Sequence, residues 1–270
     1  MDNRSVGVFD SGLGGLTAVR QMRSILPSEN IIYFGDTSRV PYGGRSQEIL
    51  LKYGRQDVRF LRSFDIKAIV VACGTVSTTA LPTLRAENDL PILGVVEPAC
   101  RRAVGQTRNK RVGLIATAAS VRSGSYERTI HALDEGVEVI SKACPLFVPL
   151  VENGRYQVGD SVIETVAREY LTPLRDTGID TLILGCTHYP LLTEIIGHIM
   201  GPDVMLIDTG EEAAWELKRT LTAQDMLAEE RVGEATFYAS DQPSDFGTLA
   251  SCFLREPMEK AVLPVDIELY

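Results

Sequence analysis

The chain has 270 residues, of which 44% are hydrophobic and 23% are charged. These fractions are typical of a globular protein, and they exclude a disordered chain, a collagen-like fibre and a coiled coil. The 27 basic and 36 acidic residues give a net charge of −9, so the overall charge opposes binding to nucleic acid.

Short apolar runs alternate with longer segments of helical periodicity along the chain. In the first part, the pattern predicts a strand at 6–9, a helix at 16–26, a strand at 31–34, a helix from the N-cap Ser46 to about residue 64, and a strand at 68–72. Further on it predicts strands at 111–116, 137–140, 181–185, 204–207 and 235–239, and helices at 125–133, 161–175, 189–200, 211–221 and 246–255. We expect the last few residues to be loosely held.

The apolar strands indicate the fold class. Strands that are apolar on both faces and alternate with helices are typical of an α/β fold, in which helices cover both sides of a mainly parallel sheet. Residues 6–11 resemble residues 112–117, and residues 70–75 resemble residues 183–187. We therefore expect two similar halves in tandem, although α/β strands also resemble one another for general reasons.

The N-terminus and the cysteines predict a cytoplasmic protein. Residues 1–5 lead directly into the first strand with no hydrophobic leader or cleavage motif, and no apolar stretch is long enough to span a membrane. A secreted disulfide framework needs an even and dense set of cysteines. This chain has five scattered ones, so we expect free thiols: Cys73, Cys100, Cys144, Cys186 and Cys252.

Cys73 and Cys186 occupy equivalent places in the two halves, each at the predicted end of a strand and start of a helix. Ligands bind at the carboxyl ends of parallel strands, and a helix N-terminus lowers the pKa of a thiol. A metal site would need more soft ligands, and a hydrolase would need one nucleophile and one base. Two facing thiols instead suit proton exchange at a carbon: a thiolate removes a proton from one face, and a thiol delivers one to the other.

Several motifs occur in a fixed order between residue 7 and about residue 192. They are FDSGLGGL at 9–16, YFGDT at 33–37 with PYG at 41–43, GVVEP at 94–98, CPLFVPLVE at 144–152 and LGCTHYPLL at 184–192. This ordered set resembles that of the glutamate racemases. The resemblance implies cofactor-independent interconversion of L-glutamate and D-glutamate, without a metal ion, which supplies D-glutamate for bacterial peptidoglycan.

The resemblance also implies an architecture. Two α/β domains would be related by a pseudo-twofold axis, with the active site in the cleft between them, and the protein would form a homodimer. We place the first domain at residues 1–97 with 208–270, and the second at residues 98–207.

The resemblance implies roles for individual residues. Cys73 would take the Cα proton from D-glutamate and Cys186 from L-glutamate, with help from Asp10, His188 and Glu152. The expected substrate contacts are Asp10, Ser11, Pro41, Tyr42, Gly43, Gly74, Thr75, Thr117, Ser120, Thr187 and His188. Simpler interpretations stay open: Asp10 could cap the first helix, His188 could bond to a helix start, and Glu152 could merely be exposed.

Two positions depart from the family pattern. Gly74 stands where Asn is usual, so an amide that contacts the substrate is missing, and Ser120 stands where Thr is commoner but keeps the hydroxyl. Gly74 therefore leaves aspartate racemase open as an alternative, beside hydantoin racemase. A related malonate decarboxylase would keep only one cysteine. Some family members bind DNA gyrase, so a regulatory role is an alternative from a different class.

Overall fold

The computed structural model describes residues 1–241, 246–258 and 260–270. Its strands form two sheets, and all the pairings between them are parallel. The predicted α/β fold with mainly parallel sheets is confirmed. Within the described residues, no helix is long and apolar enough to cross a membrane.

The first sheet has six strands in the order β10-β9-β2-β1-β3-β4. Their bounds are β1 Ser5–Asp10, β2 Ile31–Gly35, β3 Ile66–Val71, β4 Ile92–Gly94, β9 Ala235–Ala239 and β10 Val262–Pro264. The second sheet has four strands in the order β6-β5-β7-β8. Their bounds are β5 Arg111–Ala116, β6 Glu138–Ala143, β7 Thr181–Leu184 and β8 Met205–Asp208.

One strand order occurs in both sheets. The order β2-β1-β3-β4 in the first sheet has its counterpart in β6-β5-β7-β8 in the second. β1 therefore corresponds to β5, and β3 to β7, which are the two pairs of segments that resemble each other in sequence. The domain boundaries at 97/98 and 207/208 stay a prediction, because a sheet order does not define where a domain begins.

Helices cover the sheets, and their apolar faces form the core. Their bounds are α1 Leu16–Ile25, α2 Gln47–Arg62, α3 Gly74–Thr79, α4 Leu81–Ala86, α5 Val96–Gln106, α6 Ala118–Ser123, α7 Ser125–Leu133, α8 Phe147–Glu152, α9 Ser161–Arg175, α10 Thr193–Met200, α11 Thr209–Ala223 and α12 Phe246–Leu254. Ser46 caps α2 as predicted, since its side chain accepts a hydrogen bond from the backbone N–H of Ile49. Every residue of β3 is buried, as expected for a central strand covered on both faces.

The structure corrects three predicted elements. The helix expected at 189–200 is a 3-10 turn at Tyr189–Leu192 followed by α10, and Pro190 in that turn has no N–H to donate. The strand expected at 137–140 runs from 138 to 143 instead. The C-terminal residues are not loose, because Ile267 is buried and the ring of Tyr270 packs edge-on against Phe60 at 5.3 Å.

Candidate active site

A cavity of about 490 Å³ lies between the two sheets, at the carboxyl ends of their strands. Most of the predicted site residues line it: Ser11, Pro41, Tyr42, Gly43, Cys73, Gly74, Thr75, Thr117, Glu152, Cys186, Thr187 and His188. Asp10 and Ser120 lie just behind its wall. Both predicted thiols therefore face one enclosed space that is contributed by both halves of the chain.

Cys73 follows β3 directly and is the N-cap residue of α3. Its thiol is buried and donates a weak hydrogen bond to the hydroxyl of Ser11, with 3.6 Å between Sγ and Oγ. We expected the helix N-terminus to lower the pKa of this thiol. Instead, burial and the nearby carboxylate of Asp10 raise the pKa of Cys73 to about 12. Cys73 is therefore a protonated thiol at neutral pH.

Cys186 has a different neighbour. Its Sγ lies 3.8 Å from Nδ1 of His188, and Nε2 of the same ring lies 3.0 Å from Oε1 of Glu152. Burial opposes a charge on His188, but the hydrogen bonds with Cys186 and Glu152 outweigh it and raise its pKa to about 10. His188 is therefore a cation beside the Cys186 thiol. Cys186 does not open a helix as expected, since the turn at 187–188 separates it from the 3-10 helix at Tyr189–Leu192.

Phe253 of α12 also packs against the His188 ring. The two rings meet edge-on, with 5.2 Å between their centroids, and Phe253 is fully buried. His188 is itself buried. Its orientation is therefore fixed by packing as well as by hydrogen bonds. Glu152 is about one-third exposed, but its bond to His188 gives it more than the merely exposed role left open by the sequence.

Asp10 is the last residue of β1 and lies completely buried behind the cavity wall. One carboxylate oxygen accepts a hydrogen bond from the backbone N–H of Gly12 at 3.1 Å. The other accepts one from the hydroxyl of Thr187 at 3.5 Å. Burial raises the pKa of Asp10, although nearby His188 and backbone N–H groups, among them that of Gly12, oppose the shift. Gly15, not Asp10, is the N-cap residue of α1, although the backbone N–H of Gly15 does bond to the Asp10 carboxylate.

A row of hydroxyl groups joins the two halves on one side of the cavity. Thr75 Oγ1 of α3 lies 3.1 Å from Thr117 Oγ1, the N-cap of α6. Ser120 is almost fully buried, and its Oγ lies 3.1 Å from Thr117 Oγ1 and 3.4 Å from Thr78 Oγ1. Ser120 therefore orients Thr117 from behind. Thr78 was not predicted, although it lies one helical turn after Thr75.

Tyr42 enters the cavity wall from a segment that a buried polar cluster holds in place. Its hydroxyl donates to Oδ2 of Asp36, and Arg39 Nε donates to the same oxygen at 2.6 Å. Arg39 also reaches Asp57 on α2, with 3.2 Å between Nη2 and Oδ1. Neither Asp36 nor Asp57 is exposed. The segment that carries Pro41, Tyr42 and Gly43 is thus anchored to α2.

Sequence reasoning missed one wall of the cavity. The unpredicted lining residues are Val40, Gly44, Ala118, Cys144, Pro145, Val148, Pro149 and Gly185. Four lining positions, 145, 148, 149 and 152, follow the i, i+3, i+4, i+7 spacing of one helix face. This spacing could have predicted the wall from the sequence, because it places Pro145, Val148 and Pro149 on the same helix face as Glu152.

The cavity is electrostatically simple. Of the described residues that line it, none is lysine or arginine, and Glu152 and His188 are the charged side chains. Over the ranges that the structure describes, no group of three or more His, Cys, Asp or Glu side chains could hold a metal ion. A bound anion would therefore meet hydroxyl and backbone N–H donors.

Residues 18–217 match the family model described as Asp/Glu/Hydantoin racemase. A glutamate racemase of Geobacter metallireducens is 44% identical over 252 residues, which are 93% of each chain. A glutamate racemase isoform from Bacillus anthracis superposes with a TM-score of 0.93 at 37% identity, covering 98% of each chain. The Francisella tularensis glutamate racemase, solved in complex with D-glutamate, gives a TM-score of 0.92 at 38% identity over 100% of both chains.

Proposed function

The chain belongs to the Asp/Glu/hydantoin racemase family and, within it, to the glutamate racemases, and from this we propose that it interconverts L-glutamate and D-glutamate with Cys73 and Cys186 as the two acid–base groups. The observation that carries the proposal is that both thiols, at corresponding strand ends of the two sheets, line one cavity. A similar glutamate racemase has been solved with D-glutamate bound.

In the direction from L to D, the Cys186 thiolate removes the proton from Cα of L-glutamate. The electron pair left on Cα is delocalised into the α-carboxylate. The Cys73 thiol then gives its proton to the opposite face of Cα, which forms D-glutamate. Cys186 is now the thiol and Cys73 the thiolate, and the same steps in reverse convert D to L.

The unequal surroundings of the thiols support this starting state. His188, with a pKa of about 10, supplies a positive charge 3.8 Å from the Cys186 sulfur. Cys73, with a pKa of about 12, keeps its proton and can donate it. Cys73 is therefore placed to act as the proton donor in the direction from L to D.

The substrate carboxylates would be held by neutral donors. Ser11, Thr75, Thr117 and Thr187 present hydroxyls at the cavity wall, and Gly43 and Gly74, whose backbone N–H groups are further possible donors, line the same cavity. Neutral, fixed donors suit a reaction in which negative charge grows on the α-carboxylate, because they stabilise that charge without first being reorganised. The cavity also shields the weakly acidic Cα proton from bulk water.

The alternatives are less well supported. A malonate decarboxylase would use one cysteine, whereas both Cys73 and Cys186 line this cavity. The relatives that are 37–44% identical to this chain are glutamate racemases. We infer from this function a role in supplying D-glutamate for peptidoglycan. The cofactor-free reaction, the homodimer, the cytoplasmic location and the regulatory role with gyrase stay predictions.

The first experiment is racemisation in D₂O, starting from each pure enantiomer. Wild type should form the opposite enantiomer with deuterium at Cα. Cys73→Ser and Cys186→Ser should each slow this by about 10²–10⁴-fold, since each removes one acid–base group. Cys100→Ser, which changes a buried thiol outside the cavity, is the matched control and should keep its activity. Activity on aspartate and not on glutamate would instead indicate the alternative substrate.

A further inference from the structure

Gly74 directly follows Cys73, and Gly185 directly precedes Cys186, so each glycine adjoins one of the two thiols. The two segments come so close that a Cβ atom added at residue 74 would lie 2.5 Å from the carbonyl oxygen of Gly185. Ordinary contact begins at 3.4 Å. At its present width, the cleft therefore has no room for any side chain at residue 74.

This contact joins the two halves rather than neighbours in one half. Gly74 begins α3 after β3 of the first sheet, and Gly185 follows β7 of the second. The obstacle is a backbone oxygen, which cannot rotate away as a side chain could. Gly74 does not have a positive φ, so its own backbone angles would accept alanine. A methyl group there can be fitted only if the two cysteine-bearing segments move apart.

We propose that Gly74 is a positioning residue that sets how closely Cys73 and Cys186 approach the substrate from opposite faces. The inference rests on the proposed two-thiol reaction, in which one Cα atom must be within reach of both sulfurs. Relieving a 2.5 Å contact to 3.4 Å needs a movement of almost 1 Å. A misplacement of about 1 Å can cost about 10²-fold in rate.

The test is Gly74→Ala, with Gly105→Ala as the matched control. Nothing lies within 4 Å of a Cβ at Gly105, which is in α5, so the control adds the same methyl group without a collision. We expect kcat of Gly74→Ala to fall about 10²-fold with little change in KM, because the binding hydroxyls remain. Gly105→Ala should match wild type. Circular dichroism and thermal melting establish that both variants fold.

A second readout separates spacing from general damage. When the thiols are too far apart, the first can still remove the proton, but the second cannot deliver one. In D₂O, Gly74→Ala should therefore place more deuterium in recovered substrate, relative to inverted product, than wild type does. Partial unfolding would lower both amounts equally and leave this ratio unchanged. An unchanged ratio or an unchanged kcat would overturn the inference.

Two further variants keep the inference testable if Gly74→Ala folds poorly. A Cβ at Gly43 would lie 3.3 Å from the Cβ of Thr117 across the same cleft, so Gly43→Ala should show the same pattern more weakly. Gly74→Asn restores the residue that is usual in the family and should be no faster than Gly74→Ala, because the collision begins at Cβ. A faster Asn variant would overturn the inference. Failure of wild type to racemise glutamate would instead reject the proposed function.

Discussion

Glu152 and His188 lie 36 residues apart in the sequence, yet 3.0 Å separates Oε1 of the first from Nε2 of the second. Glu152 is the last residue of α8, and His188 follows β7 in the same half of the molecule. The other ring nitrogen of His188 faces the Cys186 sulfur. Charge on Glu152 is thus transmitted to the thiol through a single imidazole ring.

Glu152→Gln tests this arrangement. The amide keeps the size of the side chain but removes the charge that helps to raise the pKa of His188 to about 10. The pKa of His188 should fall, so the imidazolium is lost at lower pH. We expect the alkaline limb of the kcat/KM profile to move to lower pH, measured between pH 6 and 10. Glu169→Gln, an exposed carboxylate on α9, should leave the profile unchanged.

Asp10→Asn should act on the other thiol. The Asp10 carboxylate contributes to the raised pKa of Cys73, after burial, so its neutral isostere should lower that pKa. More thiolate is then present at a given pH, and Cys73 should be alkylated faster by iodoacetamide at pH 8. Peptide mass spectrometry measures the alkylation of Cys73 separately from that of the other cysteines. Asp203→Asn, on the surface, is the control, and equal rates in all three proteins would refute the coupling.

Much of this structure could be predicted from local pattern. The strands and most helices follow from apolar periodicity, and the repeat pointed to β3 and β7 as corresponding strands. Cys73 and Cys186 could be found because both follow such strands. The motifs at 144–152 and 184–192 led to Glu152 and His188. These features depend on residues close together in sequence, so a single chain reveals them.

What could not be predicted depends on how distant segments approach one another. Composition does not show that the oxygen of Gly185 excludes a side chain at Gly74. It does not show that burial outweighs the helix N-terminus at Cys73. The cluster of Asp36 and Asp57 with Arg39 also depends on β2, α2 and the C-terminal residues meeting in space. Each of these follows from tertiary packing.

Arg39 should control the segment that carries Tyr42. Its guanidinium contacts Asp36, Asp57 and Gln56 and lies over the Tyr53 ring at 4.1 Å. Arg39→Ala leaves the buried Asp36 carboxylate without its cation and Asp57 without its hydrogen-bond donor, so the free energy of unfolding should fall by about 3–5 kcal/mol. KM for glutamate should rise, because Tyr42 loses its anchor.

Conservative replacement separates charge from geometry at this position. Arg39→Lys keeps the charge but cannot make the same forked contacts, so its stability and KM should lie between those of wild type and Arg39→Ala. Arg62 is also on α2, and Arg62→Ala removes its exposed ion pair with Asp89. That control should cost no more than about 1 kcal/mol. Urea unfolding and steady-state kinetics provide the measurements, and an unchanged KM in Arg39→Ala would contradict the positioning role.

Asp57 should make the protein less stable as pH rises. Burial, and then the neighbouring Asp36, raise its pKa well above the ordinary value, and its Oδ2 has no hydrogen-bond partner among the described residues. An acid whose pKa is higher in the folded state binds its proton more tightly there. Its contribution to stability is therefore present at low pH and is lost as pH rises from about 4, its pKa in the unfolded chain, through the folded-state value.

Asp57→Asn removes this titration while keeping the size of the side chain and the oxygen that accepts from Arg39. Relative to wild type, the variant should gain free energy of unfolding progressively between pH 5 and pH 8, whatever constant offset the amide introduces. Urea unfolding at each pH measures this difference, and Asp203→Asn should run parallel to wild type. If the Asp57→Asn variant lost stability relative to wild type as pH rose, Asp57 would be an ionised, well-compensated partner of Arg39, and the sign of the argument would be reversed.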